Sequence, residues 1–374
     1  MSTPPRQPWL RNAFLAVLCA FAFGGWNDQA VKGFPDSYPK TFGETVKAGE
    51  AEGRLVIWST TDRDQVAELV AAFLRKYPGI AIEYRDMPSA EIHRQFMQNI
   101  RQGRPSADIL WSSAMDLQIK LVNDGFALRY ETPERRNIAK WANWKNQAWA
   151  ITAEPIVFVY NSQKLSQSGV PVSHRAVIEA LAARNTPFRN TATYDPEASA
   201  FGYLLAMNDN FIDHRALRLA SALGQARGRL HSTTQEIIAD VDSGPAPFGY
   251  NIIASYALEY AKRHPNIRIV VPHDYILYVS RVCIIPANAP HQNAAKLFLT
   301  FLLSREGQYI LSKKSMAPTR LDVPVPQDLQ AATSSNKKIT LGPSLLVMQD
   351  VLTKKKFLRD WHSALGQSDA SRPR

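Results

Sequence analysis

Short polar side chains gather where an apolar run of this chain hands over to an amphipathic one. Thr60 and Thr61 follow RLVIW, Ser112 and Ser113 follow ADILW, and Asp195 and Ser199 stand just beyond TATY. A helix that begins at such a place offers unpaired N–H groups and a partial positive charge, so it binds anions. Each of these residues alone could simply cap its own helix. Several of them facing one crevice would form an anion site, with each charge-assisted hydrogen bond worth roughly 1.5–3 kcal/mol. Asn161, Tyr250, Asn251 and Tyr275 stand at strand ends or bends. There a tyrosine's flat apolar face and single hydroxyl suit an orienting contact. Arg281 interrupts the apolar run YILYVSRVCII, where an arginine needs a partner: a carboxylate such as Asp274, or a bound anion. Thr61 with Asp64, and Ser113 with Asp116, have the spacing of capping boxes.

The elements that would position these residues alternate. A helix ending at Gly53 precedes the strand RLVIW (54–58); an amphipathic helix follows, with Val66, Leu69, Val70, Phe73 and Leu74 on one face. IAIEY (80–84) reads as the next strand, then a helix around Phe96, the strand ADILW (107–111), and a helix closed by Gly125. Such alternation implies parallel strands with right-handed crossovers, and a ligand crevice beyond the carboxyl ends of the strands. Residues 59–61 and 112–113 fall there. Residues 150–162 read as a crossover strand, the stretch to about 275 has its own αβ pattern, and 276–285 would run back as one strand buried on both faces. A further helix is expected over LLVMQDVLTKKKFLRDWHSAL. Pro290 can open the helix whose stripe is Ala294, Leu297, Phe298, Phe301 and Leu302, and Ser304 suits the cap of the next.

These segments, in this order, carry a family resemblance. PANAPHQNAAKLFLTFLLSREGQYIL (286–311) resembles the late signature of extracellular solute-binding proteins that feed ABC transporters. RLVIWSTTDRDQVAELVAAFLRKYPGIAIEY is similar to that family's opening strand–helix–strand, ADILWSSAMDLQIKLVNDG to its next unit, and WAITAEPIVFVYNSQKL to its crossover into the second lobe. The resemblance covers roughly residues 39–320. It implies an α/β, two-lobed periplasmic-binding-protein fold of type II, with discontinuous lobes joined by hinge strands. Residues 39–152 and 276–316 would form lobe 1 and 153–275 lobe 2, followed by a helical segment (317–367) and a polar tail (368–374). It also implies capture of a small solute without catalysis, and a permease and ATPase as partners. The helix starts favour an organophosphate or carboxylate as that solute. Two alternatives come with the family: a ferric-iron carrier, or a ligand-binding adaptor for a sensor kinase. The iron-binding branch uses adjacent tyrosines, whereas Ser255-Tyr256-Ala257 holds no such pair, although Tyr260 lies one turn on. No metal or cofactor is expected.

Composition agrees with a secreted binding protein. Arg6 and Arg11 followed by AFLAVLCAFAF (13–23), with Ala20-Phe21-Ala22, read as a signal peptide over residues 1–22 and hence a periplasmic location. The run is shorter than the ~20 residues a membrane helix needs. Removing the leader leaves Cys283 as the one cysteine, with no disulfide to form. Of the formal charge of +11, two arginines leave with the leader, so +11 − 2 = +9 remains. The basic residues are scattered among acids, which speaks for a surface that attracts anions and not for nucleic acid. No Gly-rich phosphate loop, HExxH or nucleophile elbow is present. The eight histidines lack ligand spacing; His291 reads as a surface residue. A monomer is expected.

Overall fold

The computed structural model describes Pro35 and residues 38–212, 214–333 and 336–366. The expected signal peptide and polar tail lie outside them. Residues from Pro39 onward belong to one unit. In chain order its strands are β1 (Arg54–Ser59), β2 (Ala81–Asp86), β3 (Ile109–Ser112), β4 (Asn143–Trp144), β5 (Ala148–Ala150), β6 (Glu154–Asn161) and β7 (Ala192–Tyr194). There follow β8 (Arg229–His231), β9 (Phe248–Ile253), β10 (Ile267–Val270), β11 (Ile276–Val279), β12 (Val282–Ile284) and β13 (Asn336–Lys338). They form two mixed sheets. The first runs β2-β1-β3-β12-β5-β4 and the second β13-β11-β6-β9-β7-β8, with β10 also paired to β6.

In the first sheet β1 lies parallel to β2 and β3; in the second β7 lies parallel to β8 and β9. Each of these six strands ends where a helix begins: Arg63–Lys76, Ser89–Arg101, Met115–Asn123, Ala200–Phe211, Thr234–Asp242 and Ala254–Ala261. That is the alternation expected from the sequence, and it sends six helix starts toward the carboxyl edges of two sheets.

The helix Gln292–Leu303 is buried over most of its length and anchors the first sheet's core. Its Phe298 and Phe301 rings meet Phe73 edge-on at 5.2 and 5.7 Å. Gly49 of the helix Phe42–Glu52 makes this packing possible, because a Cβ there would stand 2.7 Å from Leu297 Cδ1. Pro290 lies two residues ahead of the first helical residue, and carboxylates, not proline chemistry, settle that helix start. Glu52 accepts from the N–H groups of Asn293 (3.1 Å) and Ala294 (2.8 Å). Buried Asp108 accepts from the His291 N–H (2.8 Å) and faces its Nδ1 (2.9 Å), so His291 is a partnered cap residue and not a bare surface one. Ser304 caps its helix as expected, accepting from the Gly307 N–H at 3.1 Å.

Among the described residues the chain passes between the sheets three times, at 151–153, at 280–281 and ahead of β13, and residues 316–320 lie alongside the first crossing. The crossings are stitched together, with Ile151 N–H donating to Arg281 O (2.9 Å) and Ala153 N–H to Ala317 O (2.8 Å). Residues 276–285 are therefore not one returning strand. β11 stays in the second sheet beside β6, and only β12 rejoins the first, because Ser280 and Arg281 spend their backbone on the crossing. The final helix is likewise two, Ser344–Met348 and Val351–Leu365. Asp350 breaks them by accepting the Thr353 N–H at 2.8 Å. Among the described residues no helix is long and apolar enough to cross a membrane.

Candidate functional site: a polar cleft between two sheets

The loops after β1, β2 and β3 face those after β7, β8 and β9 across a cleft of about 190 Å³. One wall carries Thr60, Asp62, Asp86, Ser89 and Ser113; the other carries Tyr194, Ser199, Ser232, Thr233, Thr234 and Tyr256. Direct contacts bridge the walls. The Phe201 N–H donates to Ser89 Oγ (3.3 Å), the Tyr256 hydroxyl lies 3.4 Å from Thr60 O, and Gln235 Nε2 donates to Asp62 Oδ2.

Arg281 sits at the back of the cleft, 2 % exposed. Its partner is Glu154 and not Asp274: Nε donates to Oε1 at 2.7 Å and Nη2 to Oε2 at 3.1 Å. Nη1 donates to Thr61 Oγ1 (2.7 Å) and Gln65 Oε1 (3.2 Å), and Nη2 also to Ser255 Oγ (3.2 Å). A guanidinium has five N–H donors, so all are spent within the protein. Burial alone would raise the Glu154 carboxyl; the Arg281 charge and three donors outweigh it and hold the group below the usual carboxylate range. Asp274 instead holds His174 Nδ1 (2.8 Å) and Arg215 Nη1 (2.9 Å).

The other sequence-selected residues divide sharply. Thr60, Ser113, Ser199 and Arg281 line the cleft. Thr61 does not cap: the helix begins one residue later, with Asp62 at the N-cap position, and the Thr61 hydroxyl turns inward to Arg281. Ser112 and Ser113 form no capping box either, since Ala114 is the N-cap residue. The Ser112 hydroxyl accepts the Ala114 N–H (3.2 Å), and the Ser113 N–H donates to Thr60 Oγ1 (3.1 Å). Ser199 is a true cap, accepting from Gly202 N–H at 3.1 Å, while Asp195 accepts the Glu197 N–H at 2.8 Å and does not line the cleft.

Tyr250, Asn251 and Tyr275 converge elsewhere, on the buried carboxylate of Asp209. The three contacts measure 3.1, 2.8 and 2.6 Å. Asn161 spends its amide on the carbonyls of Val241 (3.1 Å) and Asp242 (2.9 Å). The reason is strand direction. β6 runs antiparallel to β9, so its carboxyl end at Asn161 lies at the edge of the sheet away from the cleft. Tyr260 also turns away, bonding Asp242 at 2.9 Å. Among the described residues no cluster of histidine, cysteine or carboxylate side chains is placed to hold a metal ion.

Sequence reasoning missed Asp62, Asp86, Glu154 and the 232–235 loop. One signal was available for the last: Thr233 with Glu236 makes a reciprocal capping box after β8. Asp62 is half-buried, makes no capping bond to its helix, and has its carboxyl raised by burial, with Tyr256 and Arg281 offsetting only part of that.

An α/β chain that crosses three times between two sheets and holds a polar cleft at their carboxyl edges has the two-lobed architecture of periplasmic binding proteins. The chain belongs to the bacterial extracellular solute-binding protein family, whose model matches residues 68–337. The substrate-binding protein of an ABC transporter from Agrobacterium tumefaciens is 32% identical, with a TM-score of 0.78 over 83% of this chain and 94% of that one. Two more distant structures share the fold. AfuA from Actinobacillus pleuropneumoniae, with fructose-6-phosphate bound, is 18% identical, with a TM-score of 0.69 over 84% of this chain and 99% of that one. Iron-bound HitA from Pseudomonas aeruginosa is 18% identical, with a TM-score of 0.68 over 82% and 99%. No curated protein matches the sequence.

Proposed function

We propose that this protein captures a small organic anion, an organophosphate or a carboxylate, in the periplasm and delivers it to an ABC permease and its ATPase. The observation that carries this reading is the placement of hydroxyls at helix starts on both sides of one cleft. Thr60 and Ser113 stand on the first wall, Ser199, Thr233 and Thr234 on the second. Hydroxyl donors and helix dipoles from two lobes would close on one anionic group, and the three crossings would act as the hinge. Binding, not turnover, is the activity.

The ferric reading is less well supported by the same geometry. Fe(III) takes tyrosine as phenolate, yet burial pushes the Tyr256 phenol well above its ordinary range, and Tyr260 is turned away from the cleft. A sensor-kinase adaptor would use the same cleft, and transporter genes beside this one would favour delivery to a permease.

A thermal-shift screen of organophosphates, carboxylates, neutral sugars, polyamines and Fe(III) tests the reading. Ligand at a hundredfold over its Kd stabilises the fold by about 2.7 kcal/mol. Organophosphates or carboxylates should raise the melting temperature. A shift with neutral sugars, polyamines or Fe(III) alone would refute the anion assignment.

A further inference from the structure

The two walls of the cleft differ in charge. The first wall presents two carboxylates, Asp62 and Asp86, whereas the side chains lining the second wall are hydroxyls, amides and apolar groups. Among the described lining residues Arg281 is the one cation, and its donors are committed to Glu154, Thr61, Gln65 and Ser255. Asp62 is not needed by its own helix, since it makes no capping bond there. Gln235, reaching across from the second wall, is a neutral donor to it. A simple anion closed into this space would meet two carboxylates that no lining cation pairs with directly, and removing like charges from water together is unfavourable.

We propose that the solute is a zwitterion, its phosphate or carboxylate held by the hydroxyls of Ser199 and Thr233 and its primary ammonium set against Asp62. This rests on the anion reading above and adds the other end of the molecule. Asp86 contributes attraction from the rim, while Asp62 gives the direct, charge-assisted hydrogen bond. An ammonium restores the cation that burial of Asp62 lacks; a hydroxyl would satisfy a lone pair and leave the charge.

The experiment is titration calorimetry of the full chain with probes that differ at one group: 3-aminopropylphosphonate, 3-hydroxypropylphosphonate, propylphosphonate and 1,3-diaminopropane. The aminophosphonate should bind the wild type at least about tenfold more tightly than propylphosphonate, with the hydroxyl compound between them. Asp62→Asn should abolish that preference and leave propylphosphonate bound at least as tightly as by the wild type. Gln235→Ala, which removes only the cross-cleft contact, should preserve the preference. The wild-type order decides the matter even if a variant folds poorly. Equal binding of the amino and alkyl compounds overturns the zwitterion and leaves the anion reading standing. So does a preference that survives Asp62→Asn, or an Asp62→Asn loss that is equal for all three phosphonates. Binding of 1,3-diaminopropane with no phosphonate binding overturns both, and no binding by any probe overturns the zwitterion.

Discussion

Arg281 and Glu154 form a buried ion pair at the point where the chain passes between lobes, with side chains 2% and 1% exposed. Neither charge is tolerable there without the other. Glu154→Gln keeps the shape but leaves the guanidinium uncompensated, and should cost about 3–5 kcal/mol of unfolding free energy. Urea denaturation measures this directly; a loss below about 1 kcal/mol would place the pair in the range of exposed salt bridges and contradict its structural role. The sequence showed that Arg281 needed a partner but not which one. Asp274 was nearer in sequence, whereas Glu154 is 127 positions away and meets Arg281 only because both sit on crossings. Thr61 was similarly ambiguous. A hydroxyl at a strand end can cap, face a ligand or support a buried charge, and only the one-residue delay before the helix selects the third.

The helix Met115–Asn123 begins just behind the cleft and packs against the short helix Ser344–Met348, so the C-terminal segment reaches the first lobe. The joint contains Asp116, fully buried, with Gln349 Nε2 donating to Oδ2 while Oδ1 meets no donor. Burial raises its carboxyl to about 6, against partial offset from Gln349. A raised carboxyl means that the folded state holds a proton the unfolded chain has released. The stabilisation is thus complete below about pH 4 and lost as pH rises through about 6. Asp116→Asn should therefore stabilise the protein at pH 7.5 by up to about 3 kcal/mol and flatten the pH dependence of stability between pH 4 and 6. Melting curves across that range check it; an unchanged slope would show that Asp116 is ionised in the fold. At this level the sequence was most legible. Apolar periodicity and Gly53, Gly125 and Ser304 marked the main helices, while the break at Asp350 was hidden inside a continuous amphipathic pattern.

Strand direction decides which predicted residues reach the cleft. Every strand of the parallel β7–β8–β9 group delivers its carboxyl end to it, and antiparallel β6 does not. Asn161 therefore lies away from the cleft, while Tyr250 and Asn251, inside β9 and short of its carboxyl end, gather with Tyr275 on Asp209. Sequence pattern reveals that a segment is a strand, not the sense in which it enters its sheet, unless the connection is read as well. The division into two lobes was legible because the chain crosses at WAITAEP and again near Arg281. The exact return was not, since β11 and β12 are one apolar run in sequence.

Capture by closure needs the two walls to meet, and they already touch through Ser89, Gln235 and Tyr256. Contacts that bridge two lobes are complete only when the lobes are together, so a ligand that uses both walls draws the equilibrium toward that state. Small-angle scattering of the protein, alone and saturated with the tightest anion from the thermal screen, measures it. Closure requires a smaller radius of gyration with ligand, and a bound profile that matches the bridged arrangement. An identical radius in both states, with binding proven by calorimetry, would contradict closure and mean that the cleft is a rigid, preformed site.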